Sequence, residues 1–231
     1  MKPVDPLTVA RLATDIAEAG SEVQTLEHVV ASAVQVLGVD HGGVTLLEDR
    51  GRSLRSLGAS ASEVEKADSL QHDLGEGPCV DAAVEGRVVW SADLADDERW
   101  PRWGPQAVDL GLRSILSVEM HSRNRRIGAL NLYGTDRRHF GPDDRDLALL
   151  LGRQASAALL HLRNERGLQE ALSTRTLIGQ AEGILMERFA IDADRAFEVL
   201  QRYSQGSNVK LRDVAAQIVA SRRLPDRHRT S

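Results

Sequence analysis

Five cations near the end of this 231-residue chain are the residues best suited to chemistry. Arg175, Arg188, Arg202, Lys210 and Arg212 are spread along Leu172 to Ala220, a stretch that reads as short helices in succession. The chemistry open to such side chains is recognition rather than bond-making, and the rival reading for each taken alone is a solvated helix face. A guanidinium donates paired hydrogen bonds to a phosphate and can lie flat on an unpaired base. Lys210 and Arg212 are the best placed, because they stand where a third helix begins and its dipole favours an anion.

Groups for covalent chemistry are sparse. The single cysteine, Cys79, excludes an intramolecular disulfide and points to a reducing compartment. It follows Gly75-Glu76-Gly77-Pro78 at the start of a helix, where a thiol can be acidified. The competing reading is a small buried apolar side chain. His28, His41, His72, His121, His139, His161 and His228 show no HxxxH or HExxH spacing, so no metal ligands are assigned. Ser207 and Lys210 match a bare S-x-x-K without the rest of that enzyme signature. No G-x-S-x-G, Walker loop or dinucleotide glycine fingerprint is present, and no catalytic residue is assigned. Cys79, Trp90 and Trp103 are the candidate lining of a small-molecule pocket, with core packing the rival for the tryptophan at 103. No cofactor is specified.

Charge is unevenly placed. Ser173 to Ser231 carry ten Lys and Arg against seven Asp and Glu, net +3, while the rest carries nineteen against twenty-seven, net −8. A mildly basic tail on an acidic body fits a nucleic-acid module joined to something else. The N-terminus holds Asp5, Asp15 and Glu18 and lacks the apolar core of a signal peptide. No apolar run approaches the roughly 20 residues of a membrane helix. The expectation is a cytoplasmic protein without a membrane partner.

The elements that must position these residues follow from periodicity. Pro6–Ala19 and Val23–Leu37 read as amphipathic helices ended by Gly20 and Gly38. Strands are expected at Gly42–Leu47 and Leu54–Ala59, joined by a polar turn, then helices at Glu63–Leu70 and Pro78–Val84. A short strand at Val88–Trp90 and a helix at Pro101–Leu110 precede a second hairpin, Ser114–Met120 with Arg126–Tyr133. A long helix opens at Pro142 with a stripe of Leu147, Leu151, Ala155, Ala158 and Leu162. Its weakest point is Asn164–Gly167, but no proline interrupts it, so a continuous rod is expected. Strands and helices in this order make an α+β domain.

Three helices are expected in the tail, at about Ser173–Phe189, Ala193–Ser204 and Val209–Ala220. Asp192 caps the second and Gln205–Asn208 forms the turn after it. Gly183 costs about 1 kcal/mol inside a helix relative to Ala, which asks for a packing or contact reason.

Two resemblances organise these elements. Gly75–Trp90, Gly111–Met120, Arg126–Gly134 and Phe140–Leu159 follow the order and spacing of a GAF domain, which implies a signal-sensing module with a pocket on one face of an antiparallel sheet. The tail resembles the ANTAR domain through Arg175, Ile178, Gln180-Ala181, Gly183–Arg188, Ala196-Phe197, Leu200, Asn208, Lys210-Leu211 and Val214-Ala215. One departure is Glu182, where many relatives carry Lys, which removes a possible phosphate contact. The implied division is an N-terminal helical arm over 1–22, a GAF-like domain over 23–163, an all-α three-helix ANTAR-like domain over 164–224, and a basic tail over 225–231. The resemblance implies a homodimer that binds RNA stem-loops in nascent transcripts and promotes antitermination. Two alternatives stay open: a DNA-binding helix-turn-helix-like factor, and a protein-interaction adaptor built on the GAF-like part.

Overall fold

The first helix, α1 (Glu22–Leu37), is fixed at both ends by its own sequence. Ser21 is extended, and its hydroxyl oxygen accepts from the Gln24 N–H at 3.2 Å. Gly38 closes the helix in the left-handed region at φ 59°, donating its N–H to the Val34 carbonyl. The buried face is Leu26, Val29, Val30, Ala33 and Leu37, whereas Val23, expected on that face, is 42% exposed. The structure is a computed structural model that describes residues 20–48, 53–85, 88–122 and 125–222, without the side chains of 83–85. The expected helix at Pro6–Ala19, the tips of both hairpins and the basic tail lie outside the described residues.

Five strands follow in a single antiparallel sheet: β1 (His41–Glu48), β2 (Ser53–Leu57), β3 (Val88–Ser91), β4 (Ser114–Ser122) and β5 (Arg125–Gly134), in the order β2-β1-β5-β4-β3. Both expected hairpins are formed, β1 with β2 and β4 with β5. Between them lie α2 (Ser62–Leu74), α3 (Pro78–Glu85) and α4 (Trp103–Asp109). α2 runs four residues beyond its expected end at Leu70, to a left-handed Gly75 cap.

Side chains alternate across the sheet with the period of two that a strand imposes. Val44 and Leu46 of β1 and Leu130 and Leu132 of β5 face one way, into a core shared with α1 and the start of α5 (Pro142–Phe189). Ala129 and Tyr133 face the other way, toward α2, α3 and α4. From α5 the inward residues are Ala148, Leu151, Ala155 and Leu159. This stripe is shifted from the expected one, of which Leu147 lies only partly buried.

The chain divides into two compact units, Met1–Leu162 and Arg163–Ser231. In the second, the later part of α5 supplies the first of the three expected helices, with no separate start at Ser173. α6 (Ala193–Ser207) begins at Asp192, whose carboxylate accepts from the Arg195 N–H at 2.8 Å. It runs through the expected turn at Gln205-Gly206 because Asn208, which tolerates the left-handed region, closes it at φ 53°. α7 (Leu211–Ser221) therefore starts two residues late, with Lys210 at its N-cap. Ala181, Leu185, Ala196, Leu200, Val214, Ala215 and Ile218 form the shared core. Ala190, Asn208 and Arg222 are left-handed at the ends of the three helices. Gly183 has nothing within 4 Å of an added Cβ, so the contact expected for it is absent from the described residues.

At Gly128 the paired backbone of β1 leaves no room for a side chain. A Cβ there would lie 1.9 Å from the Thr45 carbonyl oxygen and 2.9 Å from the Leu46 Cα. These are backbone atoms of the paired strand and cannot swing aside. Gly128→Ala is expected to destabilise the first unit by about 3 kcal/mol, read as a lower urea midpoint in the tryptophan-fluorescence transition. An unchanged midpoint would refute this packing.

Candidate functional site

The three helices of the second unit gather two of the five candidate cations. Arg175, from α5, and Arg212, from the first turn of α7, line one cleft of about 540 Å³. Phe197 of α6 supplies an aromatic wall, Ala171 and Ile178 the rest of the apolar surface, and Glu170 a single carboxylate. Phe197 is half-buried and is flanked along α6 by the buried Ala196 and Leu200, so its backbone is anchored in the core. Arg212 Nε lies 3.2 Å from Asp213 Oδ1, but both side chains are about half exposed, and such a pair is worth only about 0–1 kcal/mol. That ion pair can be exchanged for an incoming anion at little cost.

The other three cations are placed differently. Lys210 is exposed at the start of α7, with extended backbone and no capping bond from its side chain. The first N–H groups of a helix lack intrahelical acceptors, so this end is suited to phosphate. Arg202 is exposed on α6 and does not line the cleft. Arg188 is exposed and lines a separate depression with Gln180, Gly183 and Ile184, where its Nη1 donates to the Arg222 carbonyl at 2.7 Å, at the end of α7. Glu170 escaped the sequence reading, and Phe197 entered it through the ANTAR resemblance without a role. Phe197 reads as the edge of a buried stripe, and only the position of α5 shows that the edge faces a cleft.

The first unit holds a different constellation on the α2–α4 side of the sheet. Asp68 of α2 is fully enclosed. Its Oδ1 accepts from Tyr133 Oη at 2.5 Å, Asn131 Nδ2 at 3.1 Å and Gln71 Nε2 at 3.3 Å. Its Oδ2 accepts from Thr45 Oγ1 at 3.5 Å. Ser117 Oγ donates to Asn131 Oδ1 at 2.5 Å, and Gln71 Oε1 accepts from the Cys79 N–H at 2.7 Å. Burial pushes the Asp68 carboxyl up to about 6, although these donors pull the other way. Among the described residues no three His, Cys, Asp or Glu converge to hold a metal ion.

Comparison with known proteins assigns both units. The GAF domain model matches residues 19–160, more than half of the chain, and the ANTAR domain model matches residues 166–219. The chain belongs to the GAF family and carries an ANTAR domain after its GAF domain. No curated protein matches the whole sequence significantly. The GAF domain of a phosphoenolpyruvate-protein phosphotransferase from Acinetobacter is 19% identical, with a TM-score of 0.54 over 71% of this chain and 97% of that one. Its counterpart from Coxiella burnetii is 16% identical, with a TM-score of 0.56 over 70% and 95%. A free methionine-R-sulfoxide reductase from Neisseria meningitidis, solved with its substrate, is 18% identical, with a TM-score of 0.55 over 68% and 89%. These likenesses establish the fold of the GAF domain. GAF domains are sensory modules, and ANTAR domains are RNA-binding modules of antitermination regulators. No helix among the described residues is long and apolar enough to cross a membrane.

The three residues expected to line one ligand pocket do not share a face of the GAF sheet. Trp90 packs against the α1 side and meets His139 edge-on at 5.1 Å between ring centres. Cys79 and Trp103 are enclosed on the opposite side, where the Trp103 indole donates to the Ala67 carbonyl at 2.9 Å. Strand alternation at Val89-Trp90 imposes this separation. The idea of an acidified thiol is also overturned. Burial, with Asp68 nearby, pushes Cys79 up to about 12, so the helix start does not make it a thiolate at neutral pH.

Asp68 sets a pH dependence. Its folded-state value lies above 3.8, so the fold binds that proton more tightly than the unfolded chain does. The resulting stabilisation is complete below about 3.8 and is lost as pH rises through about 6. Asp68→Asn keeps an acceptor for Tyr133 and can turn its amide toward Thr45, without a charge at any pH. Relative to wild type, the variant is expected to gain on the order of 2–3 kcal/mol at pH 7.5, with the gain closing by pH 4. Urea melts across that range measure it, and a gap independent of pH would exclude the assignment.

Proposed function

We propose that this chain is a signal-responsive regulator of transcription antitermination that acts by binding RNA stem-loops rather than by catalysis. The observation that carries the reading is the coincidence of the ANTAR match with a helical trio whose Arg175 and Arg212 line one cleft beside an aromatic wall. Held on an antiterminator hairpin in a nascent transcript, the ANTAR domain would keep the competing terminator from forming. The work belongs in the cytoplasm, beside the polymerase. The GAF domain receives a small-molecule signal. The boundaries adopted for this reading are an arm over 1–22, a sensor over 23–163, an RNA-binding domain over 164–224 and a basic tail over 225–231.

The working species is a homodimer. Leu168 and Leu172 of α5 are 64% and 58% exposed, and Met186 is 36% exposed. At helical spacing these residues share a face with Gly179 and Gly183, where an added Cβ meets nothing within 4 Å. A second copy laid along this face would cover the leucines and approach closely at the glycines. Two linked recognition domains on two linked hairpins then gain from effective concentration. Leu168→Glu with Leu172→Glu is expected to give a monomer in sedimentation equilibrium and to abolish the advantage of a two-hairpin RNA over a single hairpin.

The primary test is a gel shift with a two-hairpin leader RNA against its scrambled sequence and against duplex DNA. Preference for the hairpins supports the reading. Preference for the duplex would make the chain a DNA-binding factor, and indifference to all three would remove the nucleic-acid function. Arg175→Gln with Arg212→Gln is expected to weaken hairpin binding about tenfold near physiological salt and to lower the slope of log affinity against log salt by about 1–2.

A further inference from the structure

We propose that the Arg175–Phe197–Arg212 cleft holds one unpaired base of the bound RNA loop and favours a base that carries an exocyclic amine. This rests on the RNA-binding reading above and names the ligand class and the groups that read it. The cleft, at about 540 Å³, falls within the roughly 300–1,000 Å³ of small-ligand sites. Its lining combines three kinds of surface that no simpler occupant satisfies together. Ala171, Ile178 and Phe197 are apolar and offer nothing to a bare phosphate, and Glu170 repels one. An apolar helix from a partner would cover those side chains but would strand the guanidiniums of Arg175 and Arg212 out of water. A nucleotide matches all three surfaces: a flat apolar base, polar edges and an anionic backbone.

Each group then has a role fixed by its chemistry. The Phe197 ring is a stacking platform, and its neighbours Ala196 and Leu200 anchor that part of α6 in the core. Arg175 and Arg212 come from different helices, so together they can hold the phosphates that flank a single extruded base. The Glu170 carboxylate accepts hydrogen bonds and donates none when ionised. It pairs with the amine of adenine, cytosine or guanine. Uracil offers one ring N–H between two carbonyls, which oppose a carboxylate.

The test uses the full chain and a pool of hairpins with one common stem and a randomised loop, from which the tightest binder is taken. Each loop position is made abasic in turn, and affinities are read by fluorescence anisotropy. With the wild type, one position is expected to lose about tenfold. Phe197→Ala is expected to lose a similar factor on the intact RNA and almost nothing further on that abasic RNA. Phe197→Leu preserves the packing but not the π face, and should behave in the same way. Glu170→Gln is expected to narrow the gap between an amine-bearing base and uracil at that position. Arg175→Gln, an exposed change, should weaken the intact and abasic RNAs alike. If the Phe197 and abasic losses multiply at every loop position, no base occupies this cleft, while hairpin binding by the wild type leaves the RNA reading intact. If the pool yields no hairpin preferred over its scrambled linear sequence, the RNA reading fails and takes the cleft assignment with it.

Discussion

A buried carboxylate ties the sensor half of this protein together. Asp68 draws donors from β1, β5 and its own helix, and Gln71 extends the set to the first turn of α3. Enclosing an ionisable group is expensive unless its hydrogen bonds are made, so the positions of Thr45, Asn131, Tyr133 and Gln71 depend on one another. Shape complementarity of apolar side chains tolerates small shifts, whereas a network of this kind specifies one arrangement. The helices on that side of the sheet are held in place by hydrogen bonds as well as by the tryptophans.

The two halves use opposite strategies. The GAF domain places polar side chains such as Asp68, Asn131 and Ser117 inside and hydrogen-bonds them to one another. The ANTAR domain keeps a small apolar core of alanines and branched residues and leaves its cations at the surface. Seven residues are fully enclosed there, which leaves little to spare beyond holding the helices together. What the trio offers is placement: three helices bring Arg175, Phe197 and Arg212 to one cleft although they are distant in sequence. Arg188 lies outside that cleft, and its guanidinium donates a bond to the end of α7.

Most of the fold was legible where apolar residues keep a clean period. The strands expected at Ser114–Met120 and Arg126–Tyr133, the helix expected at Val23–Leu37 and the order of the elements follow from alternation, spacing and glycine stops, and each bound lies within two residues of the observed one. Legibility failed where polar residues lie inside. α2 was read short because the polar Gln71-His72-Asp73 follows Leu70, although Gln71 is buried. The end of α6 was misplaced because Gln205 and Gly206 resemble a turn, and the stop lies instead at Asn208. The candidate site was partly legible: residue type marked Arg175 and Arg212, while the convergence of Phe197 and Glu170 with them depends on tertiary packing. The proposed pocket set of Cys79, Trp90 and Trp103 divides because Trp90 points to the α1 side of the sheet, while Cys79 and Trp103 stand on helices that pack on its other side.

The left-handed residues at the helix ends of the ANTAR domain give it a distinct mechanical character. Ala190 and Arg222 hold, with side chains, a conformation that suits glycine, at about 1–2 kcal/mol each. Corners of that kind persist only where the packing around them over-determines their shape. In the GAF sheet the constraint is room instead: where Gly128 abuts the neighbouring backbone there is no space for one added carbon.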